Sequence, residues 1–192
     1  KKTFLAPIYE LMERQEMRKA AELCDRLLSK AGPYLLDVLR LKGELLLMIS
    51  EFTEASKVYE HILAMRDIPW ARMGLAQAQY FLENYAAASA GFQQIVAEHP
   101  HYMSAYDWLA KAYTALGDEA SAQRVLMDAV AKSPRTLQRQ KDLGNTAYLN
   151  EDLDTAQGAF EAVLEFGKFS SFTEPEDFAN LSRTFLDKGE YD

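Results

Sequence analysis

Apolar residues along this chain recur at steps of three and four, the spacing of one face of a helix with 3.6 residues per turn. The clearest stretch covers residues 103–134. Tyr106, Leu109, Ala110 and Tyr113 share one face. Leu116-Gly117-Asp118 then interrupts the pattern, and Gly117 suits the left-handed conformation that ends a helix. A second amphipathic run follows, with Ala122, Val125, Leu126, Ala129 and Val130 inward. Ser133-Pro134 stops it, because a residue before proline is pushed out of the helical region. The pattern predicts a helix, a tight turn and a second helix.

That unit repeats. Ala76, Ala110 and Gly144 lie 34 residues apart, each preceded by Leu. The 34-residue step also holds for Ala88, Ala122 and Ala156, for Phe92, Leu126 and Phe160, and for Pro100 and Pro134. Small residues let paired helices approach, and the large ones fill the space between. One hairpin cannot bury its apolar face alone, so stacked neighbours must supply the core. Units are expected to start near residues 1, 36, 69, 103 and 137, with a partial unit from 175. The second has Gly43, Ala55 and Tyr59 at the small, small and aromatic places, but Lys42 where Leu is usual. The first is the loosest. Pro7 suits the first turn of a helix, so that helix is expected to begin near Pro7 and be short. Residues 166–173 read as an extended loop. The last unit stops before a second helix and the chain does not start with Met, so it reads as an excised piece of a longer protein. An uncovered ridge of Phe178, Leu181 and Phe185 on its last helix predicts fraying or self-association.

A 34-residue period with small, aromatic and proline places in this order resembles the tetratricopeptide repeat (TPR), a helix–turn–helix unit. The resemblance covers essentially the whole chain. It implies an all-α fold, a right-handed TPR superhelix of antiparallel helix pairs forming a single solenoid over residues 1–192. It also implies a function: binding another protein or peptide segment, as a helix or an extended stretch, in the concave groove lined by the first helix of each unit.

By register with the family, the groove-facing residues are Arg40 and Glu44 in the second unit, beside Asp37, and Trp70, Met73, Gln77, Tyr80 and Phe81 in the third. The fourth gives Asp107 and Lys111, the fifth Lys141, Asn145 and Tyr148, and the sixth Arg183. The aromatic group of the third unit has the character of interface anchors, though Tyr80 and Phe81 also suit packing between repeats. Lys141 and Asn145 resemble one unit of the clamp by which some TPR proteins hold the terminal carboxylate of heat-shock chaperones. Ala179 and Arg183 depart from the rest of that pattern, so chaperone-tail binding is not expected. Lys111, Lys141 and Arg183 leave a basic end to the groove.

Composition narrows the function classes. A net charge of −8 argues against nucleic acid, since phosphate binding needs a basic surface. No apolar run approaches a membrane span. The lone Cys24 sits at a core place of its helix and forms no internal disulfide. His99 and His101 flank Pro100 with no cysteine nearby and read as solvated loop residues rather than metal ligands. No phosphate loop, nucleophile elbow or His-Glu-x-x-His run is present. No catalytic residue, cofactor or metal is therefore implied, and the cytoplasm is the default compartment. The opening Phe4-Leu5-Ala6-Pro7-Ile8-Tyr9-Glu10-Leu11, followed by Ala20-Ala21-Glu22-Leu23-Cys24, resembles the TPR half of bacterial receiver–TPR response regulators. That implies an output or adaptor module of two-component signalling. The alternative is a regulatory subunit or assembly factor for an enzyme, a secretion machine or a pilus.

Overall fold

The computed structural model describes residues 2–168 and 173–189. Among them every regular element is helical. Two compact units divide the chain, Lys1–His99 and Pro100–Asp192. The first holds α1 (Lys2–Glu13), α2 (Met17–Leu28), α3 (Leu35–Met48), α4 (Phe52–Met65), α5 (Pro69–Phe81) and α6 (Tyr85–Glu98). The second holds α7 (Met103–Ala115), α8 (Glu119–Lys132), α9 (Leu137–Leu149), α10 (Leu153–Gly167) and α11 (Pro175–Lys188). Within each unit consecutive helices pack as antiparallel neighbours.

The turns inside each pair share one geometry. Gln15, Ser50, Glu83, Gly117 and Glu151 all have positive φ, between 59° and 74°. At Gly117 the amide donates to Thr114 O and the next amide, of Asp118, donates to Tyr113 O, both at 2.9 Å. The same two bonds close the turns at Gln15, Ser50, Glu83 and Glu151. This is the Schellman ending, which satisfies carbonyls that the last helical turn would otherwise leave bare. Only one of the five places carries the glycine that suits the conformation without strain. Asp118 and Asp152 then cap the following helices, accepting from the amides of Ser121 and Thr155 at 3.0 and 3.2 Å.

The small residues work as expected. Ala76, Ala110 and Gly144 are all buried. A Cβ on Gly144 would come within 2.6 Å of the Phe160 ring. Tyr59 has glycines on two sides: a Cβ on Gly43 would meet its ring at 2.7 Å, and one on Gly74 would come closer still. The ring of α4 therefore fits between α3 and α5 only because both helices lack a side chain there. Lys42, out of pattern by sequence, keeps its stem inside and turns its ammonium to Asp25 at 2.5 Å. Cys24 is fully buried among Ile8, Ala20 and Val38, and burial pushes its thiol up to about 12.

Three expectations need correction. Pro7 does not start α1 but lies inside it. It forfeits one backbone bond near the helix start, while Leu5 and Ile8 on either side are buried, so packing outweighs propensity. Phe166 and Gly167 belong to α10 rather than to a loop, and the centre of the expected loop, 169–172, lies outside the described residues. On α11 the predicted ridge is split. Phe178 is 57% exposed, but Leu181 packs against Ala147, Ala156 and Phe160, and Phe185 is half-buried.

Gly74→Ala should cost about 1–3 kcal/mol in a urea titration, because Tyr59 has nowhere to move. In contrast, Glu83→Gly or Glu151→Gly should raise stability by up to about 1 kcal/mol, by removing left-handed strain from a residue with a Cβ. A loss at both positions would show that those side chains contribute more than their backbone costs.

Candidate functional site

In the second unit, neighbouring first helices meet in two different ways. Between α7 and α9 a charge pair bridges the helices. Arg139 donates to both carboxylate oxygens of Asp107, at 2.6 and 2.9 Å. Its remaining nitrogen reaches the Ser133 hydroxyl at 2.7 Å. Burial pushes the Asp142 carboxyl above its usual range, partly offset by Gln138 donating at 2.9 Å.

Between α9 and α11 the space is open. A cleft of about 680 Å³ is lined by Arg135, Leu137, Gln138, Lys141 and Asn145 on one wall and Glu174, Glu176, Asp177 and Asn180 on the other. A second hollow of about 360 Å³ is lined by Asn145, Tyr148, Leu149, Phe160, Glu176, Asn180 and Arg183. The two share Asn145, Glu176 and Asn180, so they form one furrow along the helices. Two carboxamides, Asn145 on α9 and Asn180 on α11, line both hollows, with Glu176 beside them. Each carries donors and an acceptor, the groups an extended backbone needs from a binding surface.

The walls are held by polar straps. Asp177 is 3% exposed and does two jobs. It accepts from the amide of Glu174 at 2.8 Å, closing a capping box at the start of α11, and takes an ion pair from Lys141 at 2.9 Å. Glu174 stands 3.7 Å from the same ammonium. These carboxylates hold Lys141 above the usual lysine range. At the far end the Tyr148 hydroxyl donates to Asp187, which pushes the phenol's pKa up. Lys188 bonds Asp154 at 2.8 Å and Gln157 at 2.5 Å.

The expected groove residues fall into three groups. Asn145, Tyr148 and Arg183 line the furrow. Lys141 also lines it, but its charge is engaged internally. Lys111 lies 5.0 Å over the Trp108 ring and Asp107 is taken by Arg139, and neither is among the residues that line the furrow. In the first unit, Arg40 stacks 5.2 Å over Trp70 and pairs with Glu44 at 2.7 Å. Gln77 is half-buried on the same helix as Trp70. Phe81 stacks on Phe52 with centroids 4.7 Å apart, and Tyr80 meets Phe81 and Tyr85 edge-on. Met73 is 5% exposed, so it packs inside rather than facing a partner. Asn180, Glu176, Gln138 and Arg135 were absent from the register-based set. Asn180 lies one residue beyond Ala179, the place that the register had turned toward the groove. Among the described residues no cluster of His, Cys, Asp and Glu could hold a metal, and no helix is long and apolar enough to cross a membrane.

No protein-family model matches the chain, and no curated protein does. Solved structures do. MamA from Desulfovibrio magneticus RS-1, from its residue 41 to the end, is 20% identical, with 88% of this chain and 96% of that one covered at a TM-score of 0.77. A Podosopora anserina putative kinesin light chain with nearly identical TPR-like repeats is 19% identical, covering 90% and 97% at 0.73. YrrB, described as a TPR protein with an unusual peptide-binding site, is 18% identical, covering 90% and 87% at 0.70. The fold is therefore the all-α helix-pair fold of TPR proteins.

Lys141→Met should lower the urea midpoint more than Glu174→Gln does. The first leaves the buried Asp177 carboxylate without its cation, while the second removes a distant, exposed partner. Equal effects would mean that Asp177 is satisfied by the capping box alone.

Proposed function

We propose that this chain is a non-catalytic protein-interaction scaffold that holds an extended peptide segment of a partner protein in the furrow between α9 and α11. The observation that carries it is the pair of carboxamides, Asn145 on α9 and Asn180 on α11, that line both hollows. Extended backbone presents a donor and an acceptor at each residue, and carboxamides answer both without fixing the side-chain sequence. The thirteen-residue α9 is about 20 Å long, enough for about five or six extended residues. The fold shared with TPR proteins, one of them described with a peptide-binding site, supports the reading. In this view the repeats form one solenoid, and Trp70, with Arg40 stacked on it, offers a separate anchor in the first unit.

The finer reading is an adaptor in bacterial two-component signalling, acting in the cytoplasm. The opening segment of α1 and α2 supports it through its resemblance to receiver–TPR regulators. A receiver domain in the same polypeptide would sustain this assignment, and a different upstream domain would remove it. The competing role is an assembly or regulatory subunit for an enzyme, a secretion machine or a pilus.

Asn145→Ala and Asn180→Ala should each weaken peptide binding about fivefold or more while the far-ultraviolet circular dichroism stays unchanged. The measurement is fluorescence anisotropy with labelled hexapeptide libraries. Affinities untouched by both substitutions would move the site elsewhere on the scaffold.

A further inference from the structure

The furrow is electrically lopsided along its length. Near the start of α11 its lining carries the carboxylates of Glu174, Glu176 and Asp177 against the cations of Lys141 and Arg135. Lys141 and Asp177 neutralise each other at 2.9 Å, and Glu174 leans on the same ammonium at 3.7 Å. Arg135 sits over the Phe166 ring, 6.0 Å from its centroid. Glu176 has no ion pair among the described residues and is exposed. Glu176 lines both hollows, and the second adds one cation, Arg183, also exposed and without an ion pair among the described residues. Asp187, one turn further along α11, is occupied by the Tyr148 hydroxyl. The hollow that holds Arg183 is also lined by Phe160 and by Leu149, which is 67% exposed.

We infer that the segment held in this furrow is bipolar: a basic side chain pairs with Glu176, an acidic side chain pairs with Arg183, and an apolar side chain next to the acidic one covers Leu149. This rests on the peptide-binding reading and specifies its ligand. Arg183 lies seven positions after Glu176 along the helix, a rise of about 10 Å. An extended chain covers that in about three residues. The base and the acid are therefore about three residues apart, in either chain direction. A uniformly acidic segment, which a count of basic groove residues favours, would set one carboxylate against Glu176. A uniformly basic one would oppose Arg183. Like charges placed so close discriminate against the wrong partner.

The test uses four capped, fluorescently labelled peptides of one framework, Gly-X-Ala-Leu-Z-Gly, with acetylated and amidated ends so that only side chains carry charge. X and Z are Lys and Asp, Asp and Asp, Lys and Lys, or Gln and Asn. Binding to the full chain is read by anisotropy at low salt. The Lys/Asp peptide should bind about fivefold or more tighter than each of the others. Glu176→Lys, on an exposed face of α11, should shift the preference to the Asp/Asp peptide. Arg183→Glu should shift it to Lys/Lys. Circular dichroism verifies that both variants keep their helices. If all four peptides bind alike, or if either substitution leaves the ranking unchanged, bipolar recognition is overturned while peptide binding stands. If the Asp/Asp peptide binds best to the unaltered chain, the furrow is a simple anion site and the inference fails. If none binds, the peptide reading fails and takes this one with it.

Discussion

The structure depends on an aromatic ring pressed against helix backbone that carries no side chain. Tyr59 sits between Gly43 and Gly74, and Phe160 sits over Gly144. Each ring belongs to the second helix of a pair, and each glycine to a first helix. Close approach fills the space with dispersion contacts that a looser packing would forfeit. It also fixes where neighbouring first helices stand. In the second unit Phe160 presses against Gly144 of α9, shares a cluster with Leu181 of α11, and lines the furrow. The contact that orders the repeat is therefore also the floor of the candidate site.

Two gaps of the same architecture end differently because of what the sequence places beside them. Arg139 closes the α7–α9 gap with a two-pronged grip on Asp107, and bidentate pairs of this kind hold their geometry. At α9–α11 the corresponding charge pair, Lys141 with Asp177, lies at one end and leaves the middle to Asn145 and Asn180. What remains is an open, hydrogen-bonding surface in which the two carboxamides are accompanied by the exposed Glu176. Elsewhere a polar network fastens a turn, where Gln123 joins Asn150 and Asp152, both at 2.6 Å.

Much of this was legible in the sequence. The 34-residue period and the Gly117 break are enough to place helices, because both rest on local backbone rules and on patterning. Helices begin at Pro69, Met103, Leu137 and Pro175, where the repeat landmarks put them. Pro7 misled because a propensity argument ignores what Leu5 and Ile8 bury. The turns at Ser50, Glu83 and Glu151 copy the Gly117 turn without its glycine, so no residue type announces them. The site was harder to read. Register found Asn145, Tyr148 and Arg183, but whether Lys141 or Asp107 is available depends on which opposite charge stands across the gap. That pairing joins residues more than thirty positions apart, and no periodicity encodes it.

The way α11 is attached has a consequence for how the furrow behaves. Beside its apolar anchor, Leu181, it is held to α9 and α10 by charged contacts: Lys141 to Asp177, Lys188 to Asp154, and the Tyr148 hydroxyl to the carboxylate of Asp187. These differ in burial: Asp177 is almost wholly inside, while Asp154 stands in solvent. Electrolyte screens the second kind of contact and leaves the first nearly untouched. The start of α11 is thus the end whose hold persists in salt, and its far end is the one that ionic strength loosens first.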